Sequence, residues 1–578
     1  MQLDVMLLPV QDACTELYFH AERGVSCHAG GMRLAGGCVV SFDGYYNLFP
    51  IGTYRKYTVC TSPQLVLEAR GRGRVRLTAC DAQGNVLLEE STSVNAEDFC
   101  KVTLHPEIPE QAAAVFWSFS AETDCELRSA VLTANAPMQR EIRLAAGICT
   151  YHREAFIQRN AAAVSGYLQR IGASSHHLLI ADNGGTLSGL LPELPHVTTL
   201  PNPNTGGSGG FSRIMQEVLQ SEAGFTHLLL MDDDIEFRPE ILGKLLFFLS
   251  HCRAEYAHVT VGGAMCLLDM PWIQFEAGAK FLEGGVLQGL MQGLDLRSRE
   301  NCIRNAAAEQ EADYNSWWCC CMSVEKIRNA GLSMPFFFKM DDVEYALRLG
   351  EPVVCLSGVC VAHEDFVKKY NPAIEYYNTR NTLITAALHD RTGGRLRTIR
   401  NLVSAVCRNV FLQRYETAGL ILRAYGDFLK GADFLRNTDA SALHREIMQC
   451  VPECESIPEG TELTPPVPVP SLLRMLTLGG ILLPCSRDTA AVDAFHAYSA
   501  EGFRVRELLH CSPMTGRMYR THLQRGRALR LLLRMLTSAA VLLFRREWAV
   551  RSFREASGTL CSTEYWEKVN RFRENDAV

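Results

Sequence analysis

The sequence predicts a mixed α/β protein in three parts, and three observations lead to this prediction. Residues 1–140 contain short apolar runs separated by turn residues, residues 141–390 alternate strand-like and helix-like segments, and residues 391–578 are mostly helical in pattern. Of the 578 residues, 47% are hydrophobic and 21% are charged, which is enough apolar material for several cores. Collagen-like, coiled-coil and wholly disordered classes are therefore excluded.

Charge and hydropathy exclude further classes of protein. The formal net charge is −7, so no basic field draws the chain to nucleic acid. The mean hydropathy is −0.02, and no apolar run is long enough to span a membrane. Met1–Val5 has no basic segment and no long apolar segment follows, so we expect no secretory signal and a cytoplasmic location. The 22 cysteines are scattered, which favours free buried thiols, with a zinc site as the alternative.

The N-terminal part is expected to be a β-sandwich or a small barrel. Val75–Thr78 alternates apolar and polar residues, as a half-buried strand does, and turn residues follow at 81–85. The segment Phe42–Tyr57 is rich in aromatic residues. Such a stripe is more often part of a core than a ligand-binding surface.

The middle part is expected to contain a parallel or mixed sheet covered by helices. Strand-like runs at 142–149, 177–181 and 227–231 alternate with helical spacing, which is clearest at 211–219. Ligands bind beyond the carboxyl ends of the strands in such sheets. Polar residues that directly follow these runs are therefore candidate site residues.

Three adjacent carboxylates, Asp232, Asp233 and Asp234, follow the third strand-like run. In an extended chain Asp232 and Asp234 point to the same side, where they could hold one divalent cation. An exposed acidic turn is the alternative. A single histidine is usually structural, but His363, which follows an apolar run, could complete the metal shell.

Two further segments favour a phosphate-bearing ligand. The glycine-rich stretch Asn204–Phe211 opens an amphipathic helix, whose N-terminus favours an anion. It has neither the nucleoside-triphosphate P-loop pattern nor GxGxxG, and a flexible loop is the alternative. Asp182–Gly185 and Thr150–Arg153 also follow strands, but each is equally compatible with an ordinary turn.

Asp341 and Asp342 follow the aromatic run Phe336–Phe338. Paired carboxylates in such surroundings are suited to acid–base chemistry, and an acidic first turn of a helix is the alternative. Trp317 and Trp318 could offer flat faces to a sugar or belong to the core.

The C-terminal part contains a proline-rich stretch and a basic end. Pro465–Pro470 is expected to be a semi-rigid linker. Residues 521–578 carry 11 basic and six acidic side chains among leucine clusters. The apolar stretch between Arg534 and Arg545 is too short to span a bilayer, so a packed helix or a helix lying on an anionic membrane surface is expected.

In this order the pieces resemble inverting glycosyltransferases of the GT-A fold, in family 2 of those enzymes. The matching elements are Cys149–Arg153, Asp182–Gly184, Asn204–Phe211, Asp232–Asp234, Asp341–Asp342, His363 and Tyr376–Asn381. The chain more closely resembles the polymerising galactofuranosyltransferases of cell-wall galactan synthesis in Tyr45–Arg55, Trp317–Trp318 and the tail Glu564–Lys568. The resemblance implies a GT-A (Rossmann-like) core, an N-terminal β-sandwich or jelly-roll-like domain and a C-terminal helical domain.

The resemblance also implies roles for individual residues. Asp232, Asp234 and His363 would ligate Mn²⁺ or Mg²⁺, and Asp342 would be the general base of a single displacement with inversion. The other implied contacts are Thr150, Arg153, Asp182, Asn204 and Asp233 with a UDP-sugar, and Trp317, Trp318 and Asp341 with the acceptor. A glycan or lipid-linked glycan acceptor, a homo-oligomer and peripheral contact with the inner face of the cell membrane are expected partners.

Several alternatives stay open at this point. Met340 stands where close relatives have a tryptophan, which leaves the acceptor undetermined. A rhamnosyl-, glucosyl- or galactosyl-transferring enzyme would show much the same residues. A non-catalytic carbohydrate-binding protein is a second possibility, whereas a dinucleotide oxidoreductase is disfavoured because GxGxxG is missing after the first strand of the α/β part.

Overall fold

The computed structural model describes residues 2–10, 13–172, 174–309, 311–369, 371–465, 469–498 and 500–574. Part of the proline-rich stretch, Pro466–Pro468, lies outside these residues, so the linker prediction is untested there. All 22 cysteines lie within the described residues and are free thiols, as the sequence predicted. Among the described helices we find none that combines the length and the hydropathy of a membrane span.

The N-terminal region is a β structure, as predicted. Its elements are β1 (Gln2–Asp4), β2 (His20–Ala21), β3 (Val25–His28), β4 (Gly31–Leu34), β5 (Val39–Phe42), α1 (Ile51–Tyr57), β6 (Gln64–Cys80), β7 (Val86–Leu104), β8 (Ala114–Ala121) and β9 (Cys125–Thr133). Its described strands hydrogen-bond in the order β2-β5-β8-β6-β9-β4-β3, with β1 on β9 and β7 on β6. The long strand β6 pairs with β7 along one edge, and with β9 over residues 64–70 and β8 over residues 73–80 along the other, with a register shift beside Gly71.

The aromatic segment Phe42–Tyr57 belongs to the core, as expected. Phe42 stacks on Trp117 with ring centroids 4.0 Å apart, and the Trp117 indole N–H donates to the Val5 carbonyl. Tyr54 is also buried and packs edge-on against Phe248 of the following region. The aromatic segment therefore joins the N-terminal sheet to the α/β region.

The middle region is a mixed α/β structure, as predicted. Its first half consists of β10 (Leu144–Thr150), α2 (Glu154–Arg170), β11 (His177–Asp182), β12 (Val197–Pro201), α3 (Gly206–Gln220), β13 (His227–Met231), β14 (Ile235–Phe237), α4 (Ile241–His251), β15 (Thr260–Leu267) and β16 (Met270–Glu276). Its second half consists of β17 (Ala279–Leu282), β18 (Val286–Gly289), β19 (Leu294–Asp295), α5 (Arg299–Ala307), β20 (Cys320–Ser323), α6 (Val324–Ala330), α7 (Asp341–Leu349), β21 (Val353–His363), α8 (Phe366–Lys369) and α9 (Ile374–Leu388).

The sheet of this region has a parallel half and a mixed half. The strands run in the order β12-β11-β10-β13-β20-β15-β16-β19, with β12, β11, β10 and β13 parallel to one another. Successive residues of β11 alternate between two apolar clusters: Leu178 and Ile180 face one, and Leu179 and Ala181 face the other. Both faces of the parallel half are therefore covered, as such sheets require.

The C-terminal region is helical, but it also contains a sheet that the sequence analysis missed. Its elements are α10 (Gly394–Phe411), α11 (Tyr415–Phe428), α12 (Ala432–Asn437), α13 (Ala440–Met448), β22 (Glu455–Ser456), α14 (Ser471–Leu476), β23 (Arg487–Asp493), β24 (Val505–Ser512), β25 (Arg517–His522), α15 (Arg525–Leu560) and α16 (Thr563–Glu574). Within the described residues β22, β25, β24 and β23 form one sheet in that order.

The prediction of a C-terminal helical domain over 391–578 is therefore wrong for the sheet segments. β23 and β24 contain alanine, leucine, glutamate and arginine, which favour helices in isolation. In the fold, Val492, Val505 and Leu508 pack with Leu412, which follows α10. This packing outweighs local helix propensity, as tertiary context commonly does.

Candidate active site

Three parallel strands deliver polar residues to one edge of the sheet. β10, β11 and β13 end at Thr150, Asp182 and Met231, and Thr150 stands directly beside Asp182 in the strand register. Ile148 is aligned with Met231, so Asp232 follows at the level of the last residues of β10. The structure thus brings together the three strand-end segments that the sequence singled out.

The carboxylates Asp232–Asp234 lie in a turn between β13 and β14, not in an extended chain. The predicted extended chain is therefore wrong at this point. The turn nevertheless places both near one imidazole: His363 Nε2 lies 3.2 Å from Asp234 Oδ1 and 3.8 Å from Asp232 Oδ2. The antiparallel pairing of β14 with β21 sets this contact, because Ile235 pairs with His363.

His363 presents a defined nitrogen to these carboxylates. Its Nδ1 lies 2.7 Å from the Glu364 carbonyl oxygen, which can only accept, so Nδ1 carries the proton. In the neutral imidazole Nε2 is then the lone-pair nitrogen, as metal-binding histidines require. Two carboxylates and one imidazole are a donor set suited to Mn²⁺ or Mg²⁺. In this structure, however, the imidazole contacts the two carboxylates, and among the described residues no group of three or more His, Cys, Asp or Glu side chains is arranged so that it could hold a metal ion.

Asp233 contacts the loop that follows β10. Its Oδ2 accepts a hydrogen bond from the Tyr151 backbone N–H at 3.1 Å. Burial, and next the neighbouring Asp234 carboxylate, raise its pKa to about 6. Asp234 itself lies 4.0 Å from Nη2 of Arg153, the half-exposed residue that precedes α2. Arg153 is thus positioned to meet an anionic ligand at this edge.

The glycine-rich segment is part of a packed helix and does not form a flexible loop. α3 begins at Gly206, and a Cβ there would come within 2.0 Å of the Phe337 carbonyl oxygen. A Cβ at Gly210 would meet Cys149 Sγ at 2.1 Å. The glycines therefore permit close packing of α3 against two neighbouring segments. Asn204 caps this turn, because its side-chain oxygen accepts from the Gly206 N–H.

Asp182 stabilises the loop that follows β11. Its two carboxylate oxygens accept hydrogen bonds from the backbone N–H groups of Gly184 and Leu187, at 3.1 and 2.9 Å. Next to it, the Asn183 side-chain amide donates to the Gly206 carbonyl oxygen. The β11 loop is thus tied to the start of α3.

Asp341 and Asp342 lie in the first turn of α7, so the sequence alternative of an acidic helix start is also correct. Asp341 Oδ2 accepts from the Ser208 hydroxyl of α3 at 3.0 Å. Burial, and next the Asp342 charge, raise the pKa of Asp341 to about 7. Burial also raises the pKa of Asp342, although Lys339 and Ser316 act in the opposite direction. A carboxylate with a raised pKa is a stronger base than an ordinary one.

Glu276 is a third member of this cluster, and the sequence analysis missed it. It ends β16, and burial, followed by the Asp342 charge, raises its pKa to about 7. Tyr314 lies near the same carboxylates: burial and, next, the Asp342 and Glu276 charges raise its pKa. A single glutamate at the end of a strand carries no local signal, and only the fold brings it to α7.

Both tryptophans are buried, so neither ring offers an open face to a sugar in this structure. Trp317 packs edge-on against Phe211 and Tyr345, with ring centroids 5.1 and 5.6 Å apart. The Trp318 N–H donates to the Gly263 carbonyl oxygen at 3.0 Å. The core interpretation that the sequence left open describes their packing.

Comparison with known proteins agrees with the residue pattern. The family model "Galactofuranosyltransferase 2 N-terminal" matches residues 11–135. Galactofuranosyltransferase GlfT2 of Mycobacterium tuberculosis is 27% identical over an alignment that covers 98% of this chain and 95% of the relative. GlfT2 of Mycolicibacterium smegmatis is 26% identical over 98% of this chain and 94% of the relative.

This near full-length similarity confirms the resemblance stated from the motifs. The chain is a galactofuranosyltransferase-like glycosyltransferase. Among solved structures, residues 1–349 of S. aureus TarS align over 53% of this chain and 90% of that one, at 12% identity and a TM-score of 0.30. A likeness this weak adds nothing to the assignment, which depends on the full-length relatives.

Proposed function

We propose that the chain transfers galactofuranose from UDP-galactofuranose to a hydroxyl of a glycan or lipid-linked glycan. One observation carries the proposal: two acidic clusters lie at the same region of the fold but in different surroundings. Asp232 and Asp234 lie beside His363 and Arg153, whereas burial and, next, the Asp342 charge raise the pKa of both Asp341 and Glu276. A glycosyl transfer needs both, because one group must hold the leaving diphosphate and another must take a proton.

The first cluster is the proposed donor site. Asp232, Asp234 and His363 would hold Mn²⁺ or Mg²⁺, which neutralises charge on the leaving diphosphate when bound. Arg153 is half-exposed beside Asp234 and would bind the same phosphates. Thr150, Asp182, Asn204 and Asp233 form or shape the neighbouring loops and would position the nucleotide.

The second cluster is the proposed proton-transfer site. Asp342 would take the proton of the acceptor hydroxyl as that oxygen attacks the anomeric carbon. Asp341, joined to Ser208, would lie beside the acceptor, and the buried Trp317 and Trp318 would support this wall from behind. A single displacement of this kind inverts the anomeric configuration.

The fold and location belong to the same proposal. A GT-A core is supported by the parallel order β12-β11-β10-β13 with the acidic turn directly after β13. Peripheral contact with the inner face of the cell membrane is supported by α15, which buries Leu531 and Met535 but exposes Phe544 and the arginines 530, 534 and 545. An apolar surface flanked by arginine fits an anionic lipid surface. We further propose that the chain is located in the cytoplasm and forms a homo-oligomer.

The test is a donor panel run with Mn²⁺ on the wild type and on Asp342→Asn. We expect UDP release from UDP-galactofuranose, little from the galactopyranose or glucose donors, and a loss of about 10²–10⁴-fold in Asp342→Asn. Glu222→Gln is the control, because Glu222 is exposed and precedes β13, at the opposite edge of the sheet.

Other outcomes correct particular parts of the proposal. Turnover with a different donor would change the sugar but not the site. The anomeric configuration of the product, measured by NMR, tests the displacement: a retained configuration would make a carboxylate a nucleophile in place of a base. If no donor is turned over and UDP does not bind, the chain is a carbohydrate-binding protein instead.

A further inference from the structure

The segment Phe336–Met340, directly before the two aspartates, has an unusual backbone. Phe337, Lys339 and Met340 have φ values of 70°, 68° and 70°, in the left-handed region that non-glycine residues rarely adopt. A residue in this conformation is strained and persists only where surrounding contacts enforce it. This segment also sets the direction in which α7 begins, and so the position of Asp341 and Asp342.

Two buried residues of α9 supply those contacts. The Asn381 side-chain amide donates to the carbonyl oxygens of Phe338 and Lys339, at 2.8 and 2.9 Å. Arg380 Nη2 donates to the Phe336 carbonyl oxygen at 2.7 Å. Three of the five carbonyls of the strained segment are therefore held by one pair of adjacent side chains.

The pair is itself held in place. Arg380 Nε donates to Asn381 Oδ1 at 2.8 Å, which fixes the orientation of the amide so that its NH₂ group faces the segment. Arg380 also contacts the Tyr376 hydroxyl, which donates to Asp427 of α11 at 2.7 Å. Both Arg380 and Asn381 are almost fully buried, so these hydrogen bonds do not compete with water.

We infer that Arg380 and Asn381 are positioning residues for the proton-transfer step: they hold Phe336–Met340 in its strained form so that Asp342 faces the acceptor hydroxyl. The inference rests on the proposed function, since it takes Asp342 as the base. Neither side chain touches substrate in this scheme. Their effect is on the rate of the chemical step and not on binding of the nucleotide.

The first test is Asn381→Asp, which keeps the shape of the side chain but removes both N–H donors and places a carboxylate against two carbonyls. We expect kcat to fall about 10–100-fold, because a displacement of about 1 Å at a reacting group has an effect of this size. The affinity for UDP, measured by calorimetry with Mn²⁺, is expected to stay within twofold of wild type. Asn378→Asp, on the same helix and partly exposed, is the matched control.

Arg380→Lys is the second variant. Lysine keeps the positive charge but cannot donate to Phe336 and Asn381 in the same geometry. We expect it to lower kcat in the same direction. In both variants Lys339 is held less firmly near Asp342, so the pKa of Asp342 rises further and the acid limb of kcat moves to higher pH. A purely structural role would lower thermal stability and nucleotide affinity without moving this limb.

A double-mutant cycle separates this inference from the proposed function. If Asn381 acts through Asp342, Asn381→Asp should cost little further activity in the Asp342→Asn background. Full activity of Asn381→Asp and Arg380→Lys, with Asp342→Asn inactive, would overturn the positioning role alone. Full activity of Asp342→Asn would instead overturn the assigned base.

Discussion

The two acidic clusters of the active site contain the same chemical groups but differ in their neighbours. At the end of β13, Asp234 lies within 4.0 Å of both an arginine and a histidine nitrogen. At the start of α7, Asp341 has a serine hydroxyl and a second carboxylate beside it, and Glu276 faces the same pair. Buried carboxyl groups that share one site, as Asp341 and Asp342 do, hold their protons to higher pH than ordinary carboxyl groups. The surroundings therefore distinguish the group that holds a cation from the group that moves a proton.

Removing a carboxylate of the first cluster is expected to have the largest effect on activity. We expect Asp234→Asn to lower kcat/KM by more than about 10²-fold, since even indirect metal contacts are worth 10–100-fold in affinity. UDP binding that depends on Mn²⁺ should be lost, and calorimetry with and without the metal measures this directly.

The wild-type protein provides the control for that experiment. A chelator should reproduce the loss of UDP binding, and readdition of Mn²⁺ should restore it in the wild type but not in Asp234→Asn. If wild-type UDP affinity is the same with and without Mn²⁺, the first cluster is not a metal site. Asp234 would then act only through its contacts with Arg153 and His363.

A substitution in the second cluster tests whether its carboxylates are electrostatically coupled. The Asp342 charge raises the pKa of Glu276. Because electrostatic coupling is reciprocal, Glu276→Gln removes a charge that opposes ionisation of Asp342. We expect the acid limb of the pH profile of kcat to move to lower pH by up to about one unit, regardless of any change in the maximum kcat. Glu222→Gln should leave the limb unchanged. A limb that stays in place in Glu276→Gln would show that Glu276 is not electrostatically coupled to the base.

The sequence predicted the first cluster better than the second, for a physical reason. Asp232–Asp234 is contiguous and follows an apolar strand, so its place at the sheet edge could be inferred from the pattern alone. Glu276 reaches Asp342 from the end of another strand, and Arg380 and Asn381 reach Phe336–Met340 from a helix some 40 residues further along the chain. Contacts of this separation depend on the register of the sheet and the packing of α9, which no local pattern encodes.

The elements of the fold likewise divide into those that a local sequence pattern predicts and those that it does not. Alternating strands and helices in the middle region were predictable, because buried parallel strands read as continuous apolar runs. The sheet at β22–β25 was not, because β23 and β24 use residues that favour helices. Likewise, the glycines at 206 and 210 suggested an open phosphate loop, whereas the space they leave is filled by Phe337 and Cys149. The glycine pattern indicates that another segment packs closely against this backbone, but it does not identify that segment.

The smallest expected effect is on stability and concerns Asp341. Its pKa in the folded protein is about 7, above the ordinary value of 3.8 for an aspartate, so the folded state binds the proton more tightly than the unfolded chain. This group therefore destabilises the fold progressively as pH rises from about 4 to 7, and the cost is fully present above that range. Asp341→Asn removes the charge but keeps an oxygen that can accept from Ser208.

We expect Asp341→Asn to raise the melting temperature by a few degrees at pH 8 and by a clearly smaller amount at pH 5, where only part of the cost of the wild-type carboxyl has built up. Thermal melts at the two pH values measure this, with Glu222→Gln as a control that should show no such difference. An equal shift at both pH values would mean that the variant acts through packing and not through charge. A pH-dependent gain would show that the second cluster retains a destabilising charge, as active sites commonly do when their chemistry requires it.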